Sequence, residues 1–429
     1  MFVQTFIGPM IHSSRDGALI VHENACVVIK NGKIDKVDLD PDLKNPDIKN
    51  VKFLKKGQFL IPGFIDGHIH APQLPNLGLG YDKKLFEWLE HYTYPHEMKY
   101  TDLDFAEKVF DSVVRRTLKM GTTTACYFAS LFIEASLVLA QKVVEHGQRA
   151  LVGKVNMNLC RFVEYYETFE ESLRNTESFI ENIRNIGSPL IEPVITPRSA
   201  LSINAELGQI LGELAKRKNV HIQTHIGESL SENKAVRDVH SGCSSFTEVY
   251  ETTGLLTNKT VLAHGIHLSD EELATICKHG SSIIHCPSSN TCLRSGLCDV
   301  RKLKAAKVKI GLGTDISGGN SPSILEVMRA ALDVSVHISF SKSSYEPLTY
   351  KDVFHLATLG GAEALAMDDR IGNFEPGKEF DALVIDLSAP GSVLDDVQDY
   401  TLLEKLQRFI YSGDDRNIVE VYVAGRRVV

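Results

Sequence analysis

Residues 59–88, FLIPGFIDGHIHAPQLPNLGLGYDKKLFEW, decide the fold. The stretch opens on the apolar run Phe59-Leu60-Ile61, breaks at Pro62-Gly63, resumes with Phe64-Ile65 and ends in His68-Ile69-His70. Side chains on a strand alternate faces with period two, so His68 and His70 point the same way. Two neutral imidazoles on one face at a strand's end make half of a zinc or iron site. In a chain with 16 His among 429 residues, one His-x-His pair is within chance. Its weight comes from what lies downstream.

There the pattern alternates. Short apolar runs recur at 122–128, 150–157, 191–196, 220–225, 261–264, 282–286 and 310–314. Between them lie stretches of helical periodicity, such as 103–120, 206–218, 270–279 and 323–335. With the strand that ends at His70, this makes eight βα units. Such alternation implies a parallel sheet, and eight units favour a closed barrel over an open doubly wound sheet. The polar stretch 161–188 predicts a further helix over 165–186, lying on one face.

The two ends read differently. Ala25-Cys26-Val27-Val28-Ile29 leads into Asn31-Gly32, a strong hairpin signal, and Lys33-Ile34-Asp35-Lys36-Val37 follows. The tail repeats the texture in Asp381-Ala382-Leu383-Val384-Ile385 and Val419-Glu420-Val421-Tyr422-Val423, with Gly425 as a turn. The expected fold class is therefore α/β: a distorted (β/α)8 TIM barrel over 63–372, with 1–62 and 373–429 joined in a small β-sandwich.

Composition bounds the partners. Hydrophobic content of 43% with 24% charged residues is ordinary for a soluble enzyme. A formal charge of −9 argues against nucleic acid or an anionic membrane as the main partner. The 8 Cys lack paired short spacing, and several sit in apolar runs, as buried reduced thiols do. The first residues lack the cationic and apolar regions of a signal peptide, and no apolar stretch has the length of a membrane span. A cytoplasmic protein acting on a small molecule is expected.

Chemistry in a barrel of this kind is built at the C-terminal strand ends. Those ends carry His68 and His70 on the first strand, Arg198 after the fourth, His225 on the fifth, His264 on the sixth and Asp315 after the eighth. Neutral imidazoles and a carboxylate hold a divalent cation while leaving a place for water, whose pKa the cation lowers from 15.7 towards about 7. Glu228, three residues past His225, is the candidate base. Taken singly, each His also fits a satisfied core residue; the set in strand order does not.

In these residues the chain resembles the amidohydrolase superfamily, and within it the guanine deaminases. The resemblance runs through Gly63-Phe64-Ile65-Asp66-Gly67-His68-Ile69-His70-Ala71-Pro72-Gln73, Leu77-Gly78-Leu79-Gly80-Tyr81-Asp82 and Leu85-Phe86-Glu87-Trp88-Leu89. It continues in Thr196-Pro197-Arg198, Thr224-His225-Ile226-Gly227-Glu228, Val261-Leu262-Ala263-His264-Gly265, His285-Cys286-Pro287-Ser288-Ser289-Asn290 and Gly313-Thr314-Asp315. The resemblance implies one Zn2+ per subunit, in preference to Fe2+, held by His68, His70, His225 and Asp315. It implies that His264 hydrogen-bonds the water, that Glu228 shuttles protons and contacts the substrate, and that Asp315 accepts the water's proton. Gln73, Arg198 and Ser199 fall at substrate-binding positions, the first two reading a purine's polar edge. Guanine would go to xanthine and ammonia in a homodimeric enzyme.

Two positions depart from the family. Arg198 is usually followed by a Phe that packs on the base, where this chain has Ser199, and Gly227 stands where a Ser usually precedes the Glu. Losing that ring weakens stacking by about 1–3 kcal/mol unless Phe128, Trp88 or Tyr81 supplies a face. Phe86 and Trp88 also fit a plain helix packing face. Alternative readings are another aminopurine, a pterin or a triazine-like ring on the same machinery, or a scaffold without activity. A binuclear hydrolase would need a Lys at the end of the fourth strand, where Thr196-Pro197-Arg198 offers none. The phosphate-loop-like segment 372–378 lacks the Ser/Thr and leads into a strand.

Overall fold

The computed structural model describes residues 2–39, 49–160, 163–395 and 397–429. Eight parallel strands run in sequence order round a barrel: β1 (Phe64–His70), β2 (Thr122–Phe128), β3 (Arg149–Gly153), β4 (Ile191–Pro197), β5 (His221–Ile226), β6 (Thr260–His264), β7 (Ser282–His285) and β8 (Lys309–Leu312). These are the expected eight units. Nearly every residue on them is buried, which is why they read as continuous apolar runs rather than alternating ones.

The ring closes just past the end of β8. The Asp315 N–H donates to the His68 carbonyl at 2.9 Å, and the His70 N–H to the Ile316 carbonyl at 3.2 Å. Asp66, on β1, reinforces this seam. Its Oδ1 accepts from the N–H groups of Thr314 (3.0 Å) and His68 (3.2 Å), and its Oδ2 from the Thr314 hydroxyl (2.5 Å). Burial pushes this carboxyl up to about 7 against the pull of those donors. Asp315 is thereby tied, backbone first, to the strand that carries two of the imidazoles.

The covering helices follow their sequence signals closely. Leu103–Lys119 starts where Asp102 accepts from the N–H groups of Asp104 and Phe105, and it buries Ala106, Val109, Phe110, Val113, Val114 and Thr117 along one stripe. Two expectations shift. The helix expected over 165–186 is Phe169–Ile186, because Thr168 and Glu171 form a reciprocal capping box that fixes its first turn. Residues 161–162, at the head of that stretch, lie outside the described residues. The apolar run 150–157 is not one strand: β3 stops at Gly153, and Val155–Asn156 pairs afresh with Thr196 and Pro197.

Both chain ends join in one further sheet. Its order is Arg426–Arg427, Ile418–Val423, Ala382–Asp386, Gln58–Pro62, Val3–Ser13, Leu19–Lys30 and Lys33–Asp38, with Val51–Phe53 also on Val3–Ser13. The Asn31-Gly32 turn is the one expected, with φ of 51° and 83°. Three of these strands are buried on both faces, and their residues alternate between two cores. Phe59, Ile61, Leu383, Ile385, Val421 and Val423 join the large core of the barrel. Leu60, Ala382, Val384 and Tyr422 join Phe6, Met10, Phe374 and Phe380 in a core of the sheet's own.

The chain passes from this sheet into β1 at Gly63. The Gly63 N–H donates to the Asp381 carbonyl in the sheet, and the next N–H, on Phe64, donates to the Gly121 carbonyl beside β2, both at 3.0 Å. A Cβ on Gly63 would lie 2.1 Å from the Thr123 hydroxyl and 2.7 Å from the Thr123 Cβ. Thr123 is buried and β-branched, so it has little room to move. We expect Gly63→Ala to destabilise the protein by about 1–3 kcal/mol, read from urea denaturation, and Thr123→Gly in the same chain to recover most of the loss.

Candidate functional site

Four of the predicted groups meet at the mouth of the barrel. Ligating atoms of His68, His70, His225 and Asp315 all lie within 4.8 Å of one another. Asp315 Oδ1 sits 3.2 Å from His68 Nε2 and 3.4 Å from His70 Nε2, and the Nε2 atoms of His70 and His225 are 3.1 Å apart. His264 Nε2 stands further out, 3.8 Å from Asp315 Oδ2 and 3.5 Å from Glu228 Oε2. His264 and Asp315 both take left-handed backbone, with φ of 76° and 47°, which turns each side chain into the mouth as its strand ends. Such conformations cost about 1–3 kcal/mol each in a non-glycine residue and concentrate at functional sites.

The far ring nitrogens set the tautomers. His68 Nδ1 meets the Gln223 Oε1 at 2.7 Å, His225 Nδ1 the Arg198 carbonyl at 2.5 Å, and His264 Nδ1 the Asn290 Oδ1 at 2.9 Å. Each partner is an oxygen acceptor, so each Nδ1 carries the proton and each Nε2 presents a lone pair inward. Burial holds His70 and His225 well below the usual imidazole range and lowers His264 to about 4. Burial works against the Asp315 carboxylate, but the imidazoles packed round it, His68 first and then His264 and His70, hold it below its ordinary value.

A divalent cation fits this donor set. Three imidazoles and one carboxylate converge, and among the described residues two buried nitrogens, His68 Nε2 and His264 Nε2, have no hydrogen-bond partner. Phe128 shields the cluster: its ring stacks on His70 at 4.7 Å and meets His68 edge-on at 5.5 Å.

Beside this cluster lies a cavity of about 290 Å³. His70, His225, His264 and Asp315 line it together with Gln73, Arg198, Ser199, Glu228, Glu232, Phe86, Trp88 and Tyr94. Glu228 stands between Ser295, whose hydroxyl is 3.4 Å from Oε1, and His264. Burial, then the nearby Glu232 and Asp315 carboxyls, push it well above the usual carboxylate range, while burial raises Glu232 to about 7.

Gln73 and Arg198 reach the cavity from different elements and meet on one carboxylate. Gln73 Nε2 donates to Glu97 Oε1 at 2.9 Å, and Arg198 Nη1 to Glu97 Oε2 at 2.6 Å. Gln73 Oε1 accepts the Ser317 N–H at 3.0 Å. Gln73 thus bonds to backbone and Arg198 pairs with a carboxylate, and both residues still face the cavity.

The departures from the family have structural consequences. Ser199 lines the cavity without a ring, its hydroxyl accepting the Leu201 N–H at 3.2 Å. Of the three aromatics nominated to replace that ring, only Trp88 lines the cavity. Phe128 is committed to the imidazoles, and the Tyr81 hydroxyl donates to the Ser317 carbonyl at 2.9 Å. Trp88 also packs with Leu85 and Leu293, so it serves the helix face and the cavity at once. Gly227 has φ 54°, where glycine is favoured, and a Cβ there would meet Leu268 at 3.1 Å.

Several residues of the site gave no clear signal in the sequence. Gln223 had the best one: it lies two residues before His225 on β5, hence on the same face. Asn290 falls in a quoted motif without an assigned task, and Glu97 has no pattern that marks it.

The sequence pattern of the amidohydrolase family matches residues 59–428. Guanine deaminase of Mus musculus is 44% identical over 443 aligned positions, covering 99% of this chain and 96% of that protein. Guanine deaminase of Dictyostelium discoideum is 42% identical, covering 99% and 98%. The crystal structure of guanine deaminase from C. acetobutylicum, with bound guanine in the active site, superposes with a TM-score of 0.93 at 35% identity over 100% of both chains.

The donor geometry yields a direct expectation. His70→Ala should lose bound metal and activity together in elemental and kinetic assays of the purified protein; a full complement of metal in that variant would remove His70 from the ligand set.

Proposed function

Because this chain belongs to the amidohydrolase family, we propose that it hydrolyses guanine to xanthine and ammonia. The observation that carries this reading is the convergence in one cavity of His70, His225 and Asp315 with Glu228 and with the Gln73 and Arg198 donors. Similarity to guanine deaminases over the whole chain supports it.

His68, His70, His225 and Asp315 would hold one Zn2+, which would supply Lewis acidity that lowers the pKa of the attacking water towards neutral. Zinc is assigned over Fe2+ because hydrolysis needs a Lewis acid and no redox change. The remaining work falls to the protein's own groups. Asp315, ionised, takes the proton that the attacking water gives up. His264, neutral with its lone pair inward, accepts a hydrogen bond from that water and holds it beside the ring. Glu228, whose burial keeps it protonated, delivers a proton to N3, next to the attacked C2. A C2–O bond forms, the new C2 hydroxyl returns its proton to Glu228 as it becomes a carbonyl, the C2–N bond breaks, and the proton held on Asp315 leaves with the amine as ammonia.

Gln73 and Arg198 offer N–H donors to the purine's O6 and N7, which are acceptors only. Trp88 gives the base a flat apolar face in place of the missing Phe. All eight cysteines are free, which suits the reducing cytosol where we place the enzyme. Among the described residues no helix is long and apolar enough to cross a membrane.

The test of substrate is ammonia release by the purified, metal-analysed protein from guanine, adenine, a pterin and an aminotriazine. Guanine should exceed the others by orders of magnitude in kcat/KM, and a larger value for any other ring would reassign the substrate. Glu228→Gln should keep its zinc yet lose turnover by about 10²–10⁴. Near-normal rates in that variant would take Glu228 out of the proton transfer.

A further inference from the structure

Glu97 has no place in the reaction described above and does not line the cavity. It is nevertheless 2% exposed, and both of its oxygens are spent on the two groups that read the base. We propose that Glu97 is a specificity-determining positioning residue: through Gln73 and Arg198 it makes the polar end of the cavity a reader of an uncharged purine and excludes anionic ones. This rests on the reading of the site as a guanine hydrolase.

Two physical consequences follow from the contacts. The first concerns orientation. A Gln amide can present either its oxygen or its nitrogen to a ligand, and nothing in its own shape decides between them. Here Glu97 Oε1 can only accept and the Ser317 N–H can only donate, so Nε2 must face Glu97 and Oε1 must face Ser317. The second N–H of Gln73 is left as the donor available to the base. Asn76 holds the Ser317 hydroxyl at 2.6 Å, which anchors that loop from the other side.

The second consequence concerns charge. Arg198 is buried, with its guanidinium carbon 5.0 Å from the centre of the Tyr94 ring, which in turn packs on Tyr165 at 5.8 Å. Glu97 is its counter-charge, with Oε2 2.6 Å from Nη1. The pair as a whole is neutral. A guanidinium so compensated still donates hydrogen bonds to carbonyl oxygen and ring nitrogen, but it offers no net charge to an anion. Guanine enters uncharged. Xanthine has an N–H flanked by two carbonyls and is the stronger acid, so part of it is anionic near neutral pH. A cavity with an unbalanced Arg198 would hold that product; the neutral pair lets it go.

The experiment uses the full-length, zinc-loaded enzyme with Glu97→Gln and Glu97→Asp. The first substitution places an amide NH2 against one of the two donors, which loosens the hold on Gln73 or Arg198, and it removes the counter-charge of Arg198. For E97Q we expect unchanged zinc content, KM for guanine raised about tenfold or more, and kcat changed by less than about threefold. Product inhibition by xanthine, and inhibition by the urate anion, should tighten at the same time. E97D keeps the charge but withdraws the carboxylate. It should raise KM while leaving the relative affinity for xanthine and guanine as in the wild type. A merely structural residue would weaken every ligand together and would not sharpen anion binding.

An E97Q enzyme with wild-type KM and wild-type xanthine inhibition overturns the proposal, as does xanthine inhibition that weakens in step with guanine binding. Should E97Q fail to fold, E97D with unaltered KM overturns it on its own. A wild-type protein that releases no ammonia from guanine sinks the assigned reaction instead. In that event calorimetric binding of urate to wild type and E97Q still decides whether Glu97 screens Arg198.

Discussion

The structure depends on the seam between β1 and the segment that follows β8. Two backbone hydrogen bonds, from Asp315 to His68 and from His70 to Ile316, join the first strand of the ring to its last. Asp66 adds two more bonds across the same seam, both to Thr314. Closing a barrel and assembling a cation site are here one event. The carboxylate that must face two imidazoles is carried in by the bonds that complete the sheet. Left-handed backbone at Asp315 and His264 is held in place because the seam and the strand ends around it over-determine the local conformation.

Around that centre, each functional group is oriented by a partner that has no chemistry of its own. Gln223, the Arg198 carbonyl and Asn290 fix which nitrogen each imidazole turns inward. Glu97 fixes Gln73 and Arg198. Burial does the rest, holding His70 and His225 well below and Glu228 well above their ordinary ranges. Arg198 is used twice, since its backbone carbonyl orients the His225 imidazole while its side chain lines the cavity.

The fold was legible in the sequence because parallel barrel strands are buried on both faces and read as unbroken apolar runs between helical stretches. Where that signal was locally ambiguous, the expectation shifted. The stretch ahead of Phe169 has helical composition, and only the pairing of Thr168 with Glu171 decides where the turn begins. Lys154 interrupts the apolar run between β3 and Val155–Asn156, which pair with β4 in one continuous register. In the site, His68, His70, His225, His264 and Asp315 were legible because a barrel builds its chemistry at the C-terminal ends of its strands. Glu97 was not, since a buried carboxylate on a one-turn helix is recognisable only by the two donors it meets in space. The same holds for Trp88, whose dual role rests on Leu293, from a distant loop, closing one side of it.

The central claim is one cation gripped by side chains from β1, β5 and the segment after β8. X-ray data collected on crystals of the zinc-loaded protein, at energies on either side of the zinc absorption edge, test it most directly. A single anomalous peak per chain among His68, His70, His225 and Asp315 is the expected result. Two adjacent peaks, or one peak out of reach of Asp315, would contradict it.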